Sequence, residues 1–317
     1  MATNKSKIRL PKFAYGTFIF KDSGYLPGLL MTAYKIKRMN SSGDIKLICL
    51  YTPDVDSQIL EVLKLIYDDV RCTEYLKFGR DRNGRQQPLP FMFTRFRFLE
   101  LTEFDKILVL DSDMLPLKNY DQLFELTAPA GVINETKDRM KGVHATIQPI
   151  NEWEWHDFYK TTAAPGDIIK KSITDKPLKK PEENMGINGG LMLLKPSEED
   201  FARFCAWCKK PDLETVINKM NWPDMQTITA YYSGNWTSID ASYLGLYGYP
   251  NIASLNGVHF IGPKPWQHRH KNFEYRIKNY PDYRLWSEEY IQMCKDMPEL
   301  LDYKPLKNLF DKISVSL

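Results

Sequence analysis

The sequence is poor in cysteine: five in 317 residues, at Cys49, Cys72, Cys205, Cys208 and Cys294. An odd, scattered set excludes a disulfide-stapled scaffold, and no second pair joins the CxxC of Cys205 and Cys208 to complete a zinc site. That pair sits in FARFCAWCKK, a helical pattern, and reads as two thiols on a helix in a reducing compartment. No window reaches the ~20 consecutive apolar residues that cross a bilayer. The opening MATNKSKIRLPKF is polar and basic, without an apolar core of signal-peptide length. Cytoplasmic residence is therefore the expectation, and the sequons at Asn40, Asn134 and Asn235 read as chance matches. Charge of one sign is also lacking. The 43 Lys+Arg face 40 Asp+Glu, a net of +3, whereas a dedicated nucleic-acid binder would carry a strong basic surplus.

What is present is apolar mass: 43% of residues are hydrophobic and 26% charged, enough for a full core. FAYGTFIF (13–20), DIKLICLYT (44–52), DVRCTEYL (69–76) and KILVLDSDMLPL (106–117) read as strands. Helical spacing predicts helices over 24–40, 55–67 with Asp54 or Asp56 as N-cap, and 91–104 with an aromatic face. This alternation predicts an α/β fold with a mostly parallel central sheet and helices on both faces. Further on, INGGLMLLKP (187–196) reads as a Gly-led strand, 198–209 and 224–232 as helices, GVHFIGPKPW (257–266) as a strand end with a tight loop, and 285–296 as the last helix. Residues 134–187 show no clear periodicity and are the best candidate for an inserted segment within one domain spanning 1–317.

Asp111-Ser112-Asp113 follows ILVL, a buried strand, and ligands of parallel α/β sheets gather at the carboxyl ends of strands. Alternate side chains of an extended chain point to opposite faces, so the two carboxylates need a bend to converge; Pro116 is compatible with one. Hard oxygen ligands of this kind suit Mg²⁺ or Mn²⁺. The same residues also fit an Asx-type turn closing a strand. A third fit is the start of a haloacid-dehalogenase-type phosphatase, with Asp111 as nucleophile. Leu115 and the position of the pair after three strands count against that.

Four landmarks, FAYGTFIFKDSGYLPG, TRFRFLELTEFDKILVLDSDMLPL, NGGLMLLKPS and HFIGPKPW, resemble glycosyltransferase family 8, the family of glycogenin and galactinol synthase. The resemblance implies a GT-A fold with a Rossmann-like sheet. It also implies retaining transfer of a hexose from a UDP-sugar, with glucose or galactose the usual sugar, to a saccharide or protein hydroxyl. Homodimers are common in the family. By the same resemblance Asp111, Asp113 and His259 match the ligands of Mn²⁺ (or Mg²⁺), and Lys264 matches the lysine on the diphosphate, where Gly262 would allow close approach. Arg95 aligns without gaps, counting back from Asp111, to a basic residue of the family; Arg85 in the preceding loop adds a further candidate charge. Tyr25 matches the stacking tyrosine for the uracil, with one residue inserted, and Phe18 is placed near the base, while Phe20 fits base or core equally. Ser112 is placed at the ribose, Asn188 and Gly189 at sugar hydroxyls, and Asp224 at the acidic position of the family's DQ element.

The chain departs from the pattern at Met225, which stands where that element has Gln; Gln226 follows one residue later. Either Gln226 substitutes through a local shift or the amide is missing, which leaves open an inactive nucleotide-sugar-binding protein. Trp153, Trp155 and Tyr159 could stack on an acceptor sugar or anchor the insertion. The many tyrosines leave self-glucosylation open.

Overall fold

The computed structural model describes residues 12–21, 23–40, 43–80, 89–134, 163–183, 186–248 and 251–317. Strand β1 (Phe13–Ile19) lies between β2 (Lys46–Tyr51) and β4 (Lys106–Leu110), parallel to both, and β3 (Asp69–Cys72) continues the sheet parallel to β2. Helix α1 (Leu26–Met39) connects β1 to β2, and α2 (Ser57–Lys64) connects β2 to β3. The Asp56 side chain accepts a hydrogen bond from the Gln58 amide and caps α2, which decides between the two predicted caps. Beyond β4 the order continues with β7 (Gly186–Leu194), β6 (Ala130–Asn134) and β8 (Thr237–Ser238), seven strands among the described residues. Strand β7 runs antiparallel to β4 and β6, so the sheet is mostly, not wholly, parallel.

Period-2 alternation divides the core. Tyr15, Ile19, Leu47, Cys49, Leu108, Leu110, Leu191 and Leu193 face one side, with α1, α2 and the C-terminal helices. Ala14, Phe18, Ile48, Leu50, Ile107, Val109, Met192 and Leu194 face the other, with the 89–100 segment and helix α3 (Glu198–Cys208). Strands covered on both faces read as near-continuous apolar runs, which is why ILVL was legible.

Several elements differ from expectation. Residues 91–104 were predicted helical; the segment forms 3-10 turns over Leu89–Glu100. Phe93, Phe96 and Leu99, all buried, recur every three residues, the period of a 3-10 turn. The strand predicted over 106–117 breaks into β4 and β5 (Met114–Pro116), with a turn at 111–113. The third strand stops at Cys72. The helix predicted to be last begins at Pro281 and forms α5 (Pro281–Asp296), because proline is tolerated in a first turn. A further helix, α6 (Lys304–Ser316), follows it. Cys205 is half-buried and Cys208 buried on α3, and both are free thiols. Arg85, Trp153, Trp155 and Tyr159 lie outside the described residues. Among the described residues no helix is long and apolar enough to cross a membrane.

Candidate active site

The turn after β4 brings the two carboxylates together. The Asp111 amide donates to the Gly190 carbonyl of β7 (3.1 Å), and the Met114 amide closes the turn on the Asp111 carbonyl (3.2 Å). Thr32 of α1 donates its hydroxyl to the Met114 carbonyl (2.6 Å), tying the turn to the helix. Strand β5 then pairs antiparallel with β10 (Gly257–His259), which also pairs with β9 (Gly245–Leu246), and this register sets His259 opposite Met114. A histidine about 150 positions downstream is thereby delivered beside Asp113.

The His259 Nε2 atom lies 3.2 Å from Asp113 Oδ1 and 4.0 Å from Asp111 Oδ2. Ligand atoms of all three residues fall within 4.8 Å of one another, and among the described residues no other His, Cys, Asp and Glu side chains form such a group. Lys264 extends its ammonium to the other oxygen of Asp113 and also donates to the Phe260 carbonyl. Burial alone would raise the Asp113 carboxyl, but Lys264 and His259 outweigh it and hold the group below the usual carboxylate range. Asp111 goes the other way. Burial pushes it up against the opposing pull of Arg95, and Asp113 pushes it further.

Arg95 is 2% exposed and spans the floor of the site. Its guanidinium contacts Asp111 Oδ1 (3.0 Å), the Gly189 carbonyl (2.8 Å) and Asp224 Oδ2 (3.4 Å), and lies 5.1 Å from the Phe18 ring centre. Asp224, 2% exposed at the start of α4 (Pro223–Tyr231), is raised by burial, with Arg95 pulling against it. Asn188 Oδ1 accepts from the Gly190 amide (2.9 Å). Phe18 is buried and stacks on Phe20 at 5.8 Å. Tyr25 is 41% exposed, edge-on to Trp266, with Lys264 Nζ 5.6 Å from its ring centre. Ser112 lies between the ligands, its carbonyl against Gly28 of α1.

The two residues at the departure from the family pattern have distinct placements. Gln226 is fully buried: its amide group donates to the carbonyls of Pro181 and Glu183 (both 2.9 Å) and its oxygen accepts from the Trp222 amide (2.8 Å). It is committed to anchoring the 181–183 segment. Met225 is half-buried, and its sulfur sits 2.8 Å from the Gly189 amide, beside the sugar-side residues. Gly262 carries a steric requirement of its own, since a Cβ there would lie 2.3 Å from the Tyr247 hydroxyl. Gly190 was missed. A Cβ on it would lie 2.6 Å from His259 Cε1, so this glycine makes room for the imidazole. The doubled glycine after Asn188 was its only signal in the sequence.

The residues present fit a divalent cation. Asp113 Oδ1 is buried without a hydrogen-bond donor, as an oxygen reserved for a cation would be. Ligand oxygens about 2.1 Å from one small ion lie roughly 3 Å apart, close to the His259–Asp113 spacing. Two carboxylates and an imidazole form a hard to borderline donor set.

A mostly parallel α/β sheet that gathers two aspartates, a histidine and a lysine at the carboxyl end of a central strand defines a ligand-binding α/β protein with a polar, cation-ready site. More specifically, the chain belongs to glycosyl transferase family 8, whose sequence profile matches residues 17–270. An uncharacterized protein, R707, of Acanthamoeba polyphaga mimivirus is 27% identical over 90% of this chain and 96% of its own length. Glycogenin of Neurospora crassa is 30% identical, but only over 35% of this chain and 16% of its own. The fold is GT-A. It matches the galactosyltransferase LgtC, solved with donor and acceptor sugar analogues, at a TM-score of 0.51 and 11% identity over 87% of this chain and 94% of that one. It matches the glycosyltransferase GlyE of Streptococcus pneumoniae at 0.51 and 14%, over 95% and 64%. With the family established, the phosphatase reading falls.

Proposed function

We propose that the protein is a divalent-metal-dependent, retaining hexosyltransferase that takes its sugar from a UDP-sugar, with glucose the favoured sugar, and delivers it to a saccharide or protein hydroxyl. One observation carries the reading: within a family 8 chain, Asp111, Asp113, His259 and Lys264 converge at the end of β4. Asp111, Asp113 and His259 would hold Mn²⁺ or Mg²⁺. When bound, the ion supplies positive charge to the diphosphate without proton transfer.

Transfer breaks the bond between the sugar C1 and the diphosphate, and the electron pair leaves on the phosphate oxygen. Lys264, buried beside Asp113 and the Phe260 carbonyl, is the cation this chain would offer that charge. It is paired with Asp113, and its flexible stem allows it to turn toward a phosphate. Tyr25 would offer its exposed ring to the base, with Phe18 as a second aromatic candidate. Asn188, Gly189 and Asp224 would orient sugar hydroxyls, and Arg95 holds Asp111, Gly189 and Asp224 in one frame. The acceptor oxygen forms its bond to C1 on the face the diphosphate leaves, and its proton passes to the departing phosphate. We read residues 1–317 as one catalytic unit, acting in the cytoplasm, with 134–187 on the acceptor side.

The test is a donor panel. Purified protein receives each nucleotide sugar with and without Mn²⁺, first alone and then with simple sugars, and UDP release is followed. Mn²⁺-dependent release from a UDP-hexose is expected. Failure to bind UDP, together with no release from any donor, refutes the reading. One observation favours a second reading, an inactive donor-binding protein: Met225 presents a thioether beside Gly189 while Gln226 is committed elsewhere. Tight UDP binding without release would establish it.

A further inference from the structure

The family profile ends at residue 270, yet the residues around the candidate diphosphate loop lean on chain beyond it. Trp266, two positions after Lys264, is 6% exposed. Its indole N–H donates to the Gly24 carbonyl (2.6 Å), and its ring meets Tyr25 edge-on at 5.9 Å and 71°. A Cβ on Gly28 would lie 2.3 Å from Trp266 Cη2 and 2.2 Å from the Ser112 carbonyl. The start of α1, the carboxylate turn and the lysine loop therefore meet at one point, with no space between them. Behind Trp266 stands Trp286 of α5, at 5.6 Å, itself stacked on Tyr290 at 5.2 Å. Tyr283 of the same helix donates its hydroxyl to the Pro263 carbonyl (2.6 Å), next to Lys264. Helix α5 is anchored to α1 by Glu289, which pairs with Lys35 and Arg38.

We infer that Trp266, backed by Trp286, is a positioning residue that locks the Tyr25 segment to the Lys264 loop, fixing the distance between the base end and the diphosphate end of a nucleoside-diphosphate site. This rests on the proposed function for its ligand, but not for its mechanics. The indole has a single N–H, and its bond to the Gly24 carbonyl is a directional polar link to the Tyr25 segment. The Trp286 stack supplies dispersion and area, which hold the indole plane so that its N–H points at Gly24.

The test uses Trp266→Phe, which keeps a ring and removes the N–H, and Trp286→Phe as a second variant one layer back. Hydrogen exchange of the segment around Tyr25 is followed in the ligand-free protein. Binding of UDP and of inorganic pyrophosphate is measured in the presence of Mn²⁺. Trp266→Phe should speed exchange around Tyr25 and weaken UDP about tenfold, the equivalent of one buried hydrogen bond, while pyrophosphate stays within twofold. Trp286→Phe should give the same UDP-selective pattern, more weakly. Unchanged exchange around Tyr25, or equal losses for UDP and pyrophosphate, would overturn the inference. A wild-type protein that binds neither ligand overturns the functional reading and this inference with it. That failure is distinct, because it appears without any substitution.

Discussion

Replacing Gly190 with alanine tests the metal-site geometry without touching a ligand. The added Cβ would stand 2.6 Å from His259 Cε1, 2.8 Å from Nδ1 and 3.1 Å from Nε2. Carbon atoms in contact sit at about 3.5 Å or more, so the imidazole must retreat by roughly 0.9 Å. The backbone of Gly190 cannot take up the strain freely, because its carbonyl holds the Asp111 amide and the adjacent residue pairs Leu191 with Leu110. Metal–ligand distances tolerate only about 0.2 Å, so a displaced ring no longer serves as third ligand. Mn²⁺ affinity should fall about 10- to 100-fold, the range seen when a ligand's support is disturbed. Calorimetric titration with Mn²⁺ reads this, with circular dichroism as a check on folding. The decisive control is the double mutant. In a His259→Ala background, adding Gly190→Ala should cost little further affinity, since the clash partner is gone. Independent, additive losses would show that the glycine acts through something other than the imidazole, and the argument would fail.

Three other outcomes follow from the same contacts. Lys264→Met removes the cation beside Asp113 and should lower turnover with saturating UDP-sugar about 100-fold or more, read as UDP release; undiminished turnover would remove Lys264 from the chemistry. Arg95→Ala strands the buried Asp224 and strips Asp111 of its partner, so urea unfolding should show a loss of about 3–5 kcal/mol, whereas a surface arginine would cost under 1. Asp282 is fully buried, accepting from the Gly248 and Tyr283 amides, and burial raises its carboxyl from 3.8 to about 6. The folded protein therefore favours the protonated form, and this stabilisation, present at low pH, is lost as pH rises from about 4 to 6. Unfolding free energy should accordingly gain about 3 kcal/mol in Asp282→Asn relative to wild type across that window, and stay level above it. A flat difference between the two proteins would refute the assignment.

The sequence alone determined the architecture and half of the site. ILVL before Asp111 could only be a strand covered on both faces, and the β-α-β-α-β order left a parallel sheet as the natural solution, so the place where ligands gather was legible in advance. Local pattern named the two acids, and the resemblance of HFIGPKPW to family 8 named the histidine and the lysine. Distance in the chain hid the rest. That His259 stands over Asp113 depends on the pairing of β5 with β10, and that Gly190 must be glycine depends on where the imidazole then falls. The antiparallel course of β7, the 3-10 path of 89–100 and the commitment of Gln226 to Pro181 and Glu183 likewise came from packing partners remote in sequence. Periodicity reports which face of an element is apolar, but only the tertiary structure decides which distant face, carbonyl or ring it meets.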